Sequence, residues 1–246
     1  MIFMKLADTY ADIKRESWSD LDGNWGIIFL FNLLGTAVCI ILSYMLLFFS
    51  TTALLVFLSL IADLTVFLYF HFGIFSLAYT ASTHGTIRFS DGFLPLPVCW
   101  KFILCGLAFA LISISIYVGT LFLLVRAFQI ESPFLCVLVG TAAVVYLTVS
   151  FAPLPFLILN DPKANLFSIL NRARNLMKGY KTHYLGFCLS FIGWLLVTLM
   201  TTGLGSLFLT GYFYTSLNNF YHRLVRAKNG EEEQTEGKEE FTHFHL

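Results

Sequence analysis

From Gly26 to Phe49 the sequence carries no charged side chain, and the runs Ala53–Ala81, Val98–Val125 and Phe134–Leu159 are nearly as bare. Each exceeds the roughly 20 apolar residues that an α-helix needs to cross the hydrocarbon core of a bilayer. Only Asp63 and His71 interrupt the second run, only Lys101 the third, and the fourth carries Pro153 and Pro155 near its end. Charged residues are 12% of the chain, about half the share of a soluble domain, so a water-facing coat is not available. The same apolar content excludes disorder for most of the chain. Lys+Arg and Asp+Glu both number 15, which leaves no basic surface for nucleic acid.

Two further segments complete the membrane set. His183–Met200 is a shorter apolar run, and Leu204–Leu224 is less apolar, aromatic and interrupted by Asn218 and Asn219. The expected fold is therefore all-α: a polytopic membrane bundle of about six helices, with spans at 26–49, 53–81, 98–125, 134–159, 183–200 and 204–224. Loop charge supports the even number. With the N-terminus inside, all but Arg126 of the 15 Lys and Arg fall on the cytoplasmic side, the asymmetry that fixes orientation in inner membranes. Both termini are then cytoplasmic. Trp18, Trp25, Trp100, Tyr180, Tyr184 and Tyr221 lie near the inner boundary, where amphipathic rings favour the interface. The outer turns at Ser50–Thr52, Arg126–Pro133 and Thr201–Gly203 are short, so no extracellular domain is expected. A charged stretch precedes the first apolar run, unlike a cleaved signal peptide.

The inner segments carry the remaining polar chemistry. Asn160-Asp161-Pro162 reads as a helix start, opening an interfacial helix at about 162–181. Leu166, Leu170, Ala173, Met177 and Tyr180 recur at helical spacing, while Asn171, Arg174, Lys178 and Lys181 form another stripe. With Arg172, this basic face suits the anionic headgroups of the inner leaflet, at about 1 kcal/mol per cation; it also suits a simple topology determinant or a docking face for a membrane-protein partner. Met4–Leu21 is expected to be a second surface helix, zwitterionic rather than basic. The tail 228–246 is acidic and expected to be disordered. His243 and His245 alternate with aromatics there, too few ligands for a metal site. The cysteines Cys39, Cys99, Cys105, Cys136 and Cys188 show no metal or redox spacing.

Ionisable residues inside a span are functional candidates by default. Asp63 falls near the midplane and His71 roughly 12 Å further toward the cytoplasm. Asn32, Asn218 and Asn219 reach similar depth, so an inward-facing polar cavity around Asp63 and His71 is one expectation. The other is that Asp63 bonds to Ser43 or Tyr44 and serves helix packing. Trp194 is expected to fill core space. No metalloprotease, nucleophile-elbow or phosphate-loop motif occurs, so catalytic residues, metals and cofactors are not expected.

Residues at both ends of the chain carry a resemblance. Leu21-Asp22-Gly23-Asn24-Trp25-Gly26, then Leu176-Met177-Lys178-Gly179-Tyr180-Lys181, Leu189-Ser190-Phe191-Ile192-Gly193-Trp194, Thr202-Gly203-Leu204-Gly205 and Phe220-Tyr221 resemble in order and spacing an uncharacterised bacterial integral-membrane family, domain of unknown function 975. Gly211-Tyr212 departs from the Pro-Tyr of that pattern. The resemblance implies a multi-span inner-membrane protein, distantly similar to membrane portions fused to some glycerophosphodiester phosphodiesterases; it transfers no catalytic residue. The expected function is a non-catalytic membrane scaffold or accessory subunit that engages lipid or a partner at the cytoplasmic face. The alternative is a small transporter or lipid-handling protein that uses the Asp63/His71 region.

Overall fold

A computed structural model describes residues 9–49, 52–127 and 133–243. Among these, every regular element is helical: α1 (Thr9–Asp20), α2 (Trp25–Phe49), α3 (Ala53–His84), α4 (Leu96–Phe122), α5 (Pro133–Ser150), α6 (Leu154–Asn160), α7 (Leu166–Met177), α8 (Lys181–Leu189), α9 (Ile192–Met200) and α10 (Ser206–His243). A 3-10 turn at Phe89–Gly92 follows α3, and a π turn at Leu123–Ala127 closes α4. Residues 50–51 and 128–132, which belong to two of the expected outer turns, lie outside the described residues, as do residues 4–8 of the expected first helix and His245.

Five stretches among the described residues are long and apolar enough to cross a membrane: Trp25–Leu46, Leu54–His84, Leu96–Phe122, Val137–Asn160 and Lys181–Met200. The protein is an all-α helical bundle with the apolar helices of a multi-pass membrane protein. In the most apolar window of α3 no residue is buried, and Phe48, Leu54, Phe57 and Leu60 are all more than half exposed. Continuous outward-facing apolar surface of this kind is stable in lipid and not in water. The expected sixth span is not among the five, because Thr210, Tyr212, Tyr214, Thr215, Ser216, Asn218 and Asn219 dilute α10. Yet Thr215, Ser216 and Asn218 are fully buried, so the polar part of α10 is enclosed by protein.

Contacts divide the chain into two compact units, Met1–Leu94 with Phe187–Leu246, and Pro95–Gly186. In the first, α2 packs along α3, and α10 packs on α1, α2 and α3. Ile13, Leu21, Ile28, Phe31, Leu77 and Phe187 are buried there. Phe31 is wedged between two glycines: a Cβ on Gly73 would stand 2.6 Å from its ring and 2.5 Å from the Gly92 carbonyl oxygen. The Ser76 hydroxyl donates to the Asp91 carbonyl at 2.7 Å and holds the 3-10 turn on α3. Gly211 lies against Ile28 with no room for a side chain, so glycine at this departure from the family pattern allows close approach of α10 to α2. The helix runs through it unbroken.

In the second unit α4 packs on α5 and α6, and α7 packs on α5 and α6. Two boundaries differ from expectation. The fourth apolar run is broken at Phe151–Pro153 into α5 and α6, because Pro153 and Pro155 lack the N–H groups that would continue the α5 ladder and instead sit at the start of α6. The interfacial helix does not begin at Pro162. Asp161 ends α6 and its carboxylate accepts from the Ala164 N–H at 3.2 Å, forming a turn; the helix then starts at Leu166, with Asn165 as the capping residue. Lys181 opens the next helix. The backbone of α10 is helical beyond Lys228, where composition predicts a disordered tail; Glu, Gln and Lys are good helix formers.

Candidate functional site

The polar residues expected to line one inward cavity are brought to separate partners instead. The Ser43 hydroxyl donates to Asp63 Oδ2 at 2.5 Å across α2 and α3, while Asp63 Oδ1 is buried without a hydrogen bond to a described residue. His71 Nε2 lies 2.7 Å from the Tyr214 hydroxyl on α10, and its ring stacks on Phe67 at 5.6 Å. Asn32 donates to the Leu207 carbonyl at 3.1 Å, tying α2 to the first turn of α10. Asn218 donates to the Ser82 hydroxyl. Asn219 donates to Ser17 Oγ at 3.0 Å and to Asp20 Oδ2 at 2.7 Å. Five candidates thus make interhelical bonds in five places, the arrangement that polar side chains adopt as glue between membrane helices.

Sequence reasoning did not single out Asn24. Its amide donates to the carbonyls of Asp20 (3.0 Å) and Gly85 (2.7 Å), and its oxygen accepts from the Ile87 N–H at 3.3 Å. One side chain therefore closes the α1–α2 turn and the C-terminal end of α3, which is why an asparagine stands inside the Leu21–Gly26 motif. Gly23, at φ +76°, makes the turn itself. Arg223 and Glu16 pair at 2.7 Å, and the Lys14 ammonium bonds the Ser190 carbonyl at 2.5 Å above the Phe191 ring. Burial pushes the Lys14 ammonium below the usual lysine range.

Among the described residues, clefts open enough to hold a ligand lie in each unit. In the first unit, a cleft of about 500 Å³ is walled by Trp18, Trp25, Trp194, Phe208, Leu209 and Tyr212. Trp18 and Trp25 lie 5.0 Å apart between ring centres, and Trp194 meets the Tyr212 ring at 5.7 Å. Trp194, expected in the core, is 38% exposed and forms one wall. This cleft is almost wholly apolar.

In the second unit, a cleft of about 290 Å³ lies between α4 and α7, with Phe151 at its base and Asn171 and Arg174 at its rim. The helix behind that rim is strongly two-faced: Ile169, Ala173 and Met177 are buried, whereas Arg172, Arg174 and Lys178 are exposed. The basic residues of the expected stripe and Lys101 do not act alike. The Lys181 ammonium sits 3.6 Å over the Tyr146 ring, and Lys101 is occupied by the Pro162 and Ala164 carbonyls at 2.5 and 2.7 Å. Arg172, Arg174 and Lys178 make no ion pair with a described residue. Among the described residues no cluster of His, Cys, Asp or Glu could hold a metal.

Residues 4–228 match the family described as protein of unknown function (DUF975). Neither a curated protein nor a solved structure matches the chain.

Proposed function

This chain belongs to the DUF975 family of proteins of unknown function, and from that footing we propose that it is a non-catalytic scaffold or accessory subunit of the bacterial inner membrane. In this reading it crosses the bilayer six times with both termini cytoplasmic, and its cytoplasmic face engages anionic lipid headgroups. The sixth crossing is α10. Its low hydropathy is no obstacle, since a helix whose polar side chains are buried against other helices does not present them to lipid.

The observation that carries the reading is the division of α7 and its C-cap, with Ile169, Ala173 and Met177 packed inward and Arg172, Arg174 and Lys178, which make no ion pair with a described residue, outward. A helix of this kind beside apolar spans lies in the headgroup plane. The non-catalytic part rests on the dispersal of the ionisable candidates, each held by its own partner. The test is the joint substitution Arg172→Ala, Arg174→Ala and Lys178→Ala in the full-length protein. Phosphatidylglycerol retained through detergent exchange is measured by native mass spectrometry against phosphatidylcholine. The preference for the anionic lipid should fall at least about tenfold. An unchanged preference overturns the lipid reading, and loss of a co-purifying membrane protein at unchanged lipid preference assigns the face to a partner.

A second reading, a small transporter or lipid-handling protein, draws on one atom: Asp63 Oδ1, buried and unbonded within a span. Such an oxygen is where a donor group of a substrate would bind.

A further inference from the structure

We propose that the cleft between α4 and α7 is a discrete binding site for one anionic phospholipid, with Arg174 as its phosphate-binding residue. The inference rests on the lipid-engaging reading of α7 and sharpens it from a charged face to a defined place.

Three observations meet in this cleft. Its floor is apolar along the axis of a candidate spanning helix: Cys105, Ala108 and Ile112 recur at the three- and four-residue spacing that puts them on one side of α4, and Phe151 closes the base. At about 1.5 Å per residue this strip is roughly 10 Å long. Its rim is polar on one side only, where Asn171 and Arg174 stand three residues apart on α7 and so face the same way. Arg174 has no carboxylate partner among the described residues, so no described carboxylate competes with an incoming anion for its guanidinium. The volume, about 290 Å³, is at the lower limit for a small-ligand pocket. It suits a segment of one acyl chain and is too small for a whole lipid.

An amphiphile with a negative head and a straight apolar tail matches this layout. The planar guanidinium donates two parallel N–H bonds to phosphate oxygens, a geometry lysine does not offer. The Asn171 amide donates to a third phosphate or glycerol oxygen. The acyl chain lies against Cys105, Ala108 and Ile112, where it gains packing contacts that a mobile bulk lipid tail does not hold. The three-tryptophan cleft of the other unit lacks any such polar end and holds no headgroup.

The proposal separates from general attraction by a charged helix because it gives unequal roles to equal charges. Arg172 and Arg174 are both exposed on α7, but only Arg174 borders the cleft. Full-length protein purified in mild detergent is titrated with phosphatidylglycerol, and bound lipid is resolved by native mass spectrometry. One phosphatidylglycerol should remain bound at low lipid ratio. Arg174→Ala should weaken that first equivalent about tenfold or more, Arg174→Lys should restore it only in part, and Arg172→Ala should leave it nearly unchanged. Ala108→Trp fills the floor without touching charge and should also abolish it; thermal melting of each variant verifies the fold. Equal effects of Arg172→Ala and Arg174→Ala, with none from Ala108→Trp, overturn the site while leaving the charged-face reading intact. Loss of the first equivalent in Arg174→Ala together with undiminished binding in Ala108→Trp overturns the acyl-chain placement. No preference for phosphatidylglycerol over phosphatidylcholine in any form overturns both.

Discussion

Asp20 shows how one side chain at the end of a surface helix makes stability depend on pH. Burial raises its carboxyl above the usual aspartate range; the bond from Asn219 opposes that shift, and the negative charge of Glu16 adds to it. A carboxyl whose pKa is raised on folding holds its proton more tightly in the native state. It therefore disfavours the fold as pH rises from the ordinary aspartate value through the raised one. Asp20→Asn keeps an oxygen to accept from Asn219 and removes that dependence. In detergent-solubilised protein, the variant should match the wild type near pH 4 and melt slightly higher at pH 7. The gain should be below about 1 kcal/mol, because the half-buried carboxyl is screened by solvent. A variant that melts lower by the same amount at every pH would show that the carboxylate contributes something the amide cannot. Asn24 makes the complementary point: its position in a motif is legible, but its partners at Gly85 and Ile87 lie about sixty residues away.

Among the elements, α2 packs along α3, and near the turn that joins them their side chains are largely exposed. The Ser43–Asp63 bond joins them there, and it is where the packing and transport readings divide. Asp63→Asn retains an acceptor for Ser43 and should leave melting within about 1 kcal/mol of wild type, whereas Asp63→Ala removes it and should cost roughly 1 to 2 kcal/mol. If Asp63 serves packing alone, Asp63→Asn changes no property of reconstituted vesicles. A pH-dependent flux in proteoliposomes that Asp63→Asn abolishes in a folded protein would select the transporter instead. The candidate cavity was legible in the sequence only as a list of depths. Rise along a helix places Asp63, His71 and Asn218 at their levels, but their direction depends on how each helix is turned. The structure turns them toward Ser43, Tyr214 and Ser82, on different helices.

For the molecule as a whole, the six-span reading is tested through α10. Among the described residues, hydropathy finds five stretches long and apolar enough to cross, and an odd number of crossings would put the two termini on opposite sides. The six-span reading puts Thr202, in the left-handed turn between α9 and α10, outside and Lys228 inside. With the native cysteines replaced, Thr202→Cys should react with a membrane-impermeant maleimide in intact cells, and Lys228→Cys only after permeabilisation. Labelling of Lys228→Cys from outside would leave α10 as a buried helix that does not cross.

By itself, the sequence determined that the chain is helical and built for lipid, because uncharged runs longer than a bilayer is thick have one stable solution: a helix that satisfies its own backbone. It also fixed the basic face of α7 and the family-like motifs at either end. The tertiary structure decided which polar groups meet, that the fourth run breaks at Phe151–Pro153, and that Arg174 borders a cleft while Arg172 does not. Those outcomes depend on helix rotation and side-chain shape, to which hydropathy is blind. A stripe of charge follows from helical period alone, but a site requires a second element to close its other side, and α4 lies some sixty residues before Arg174 in the chain.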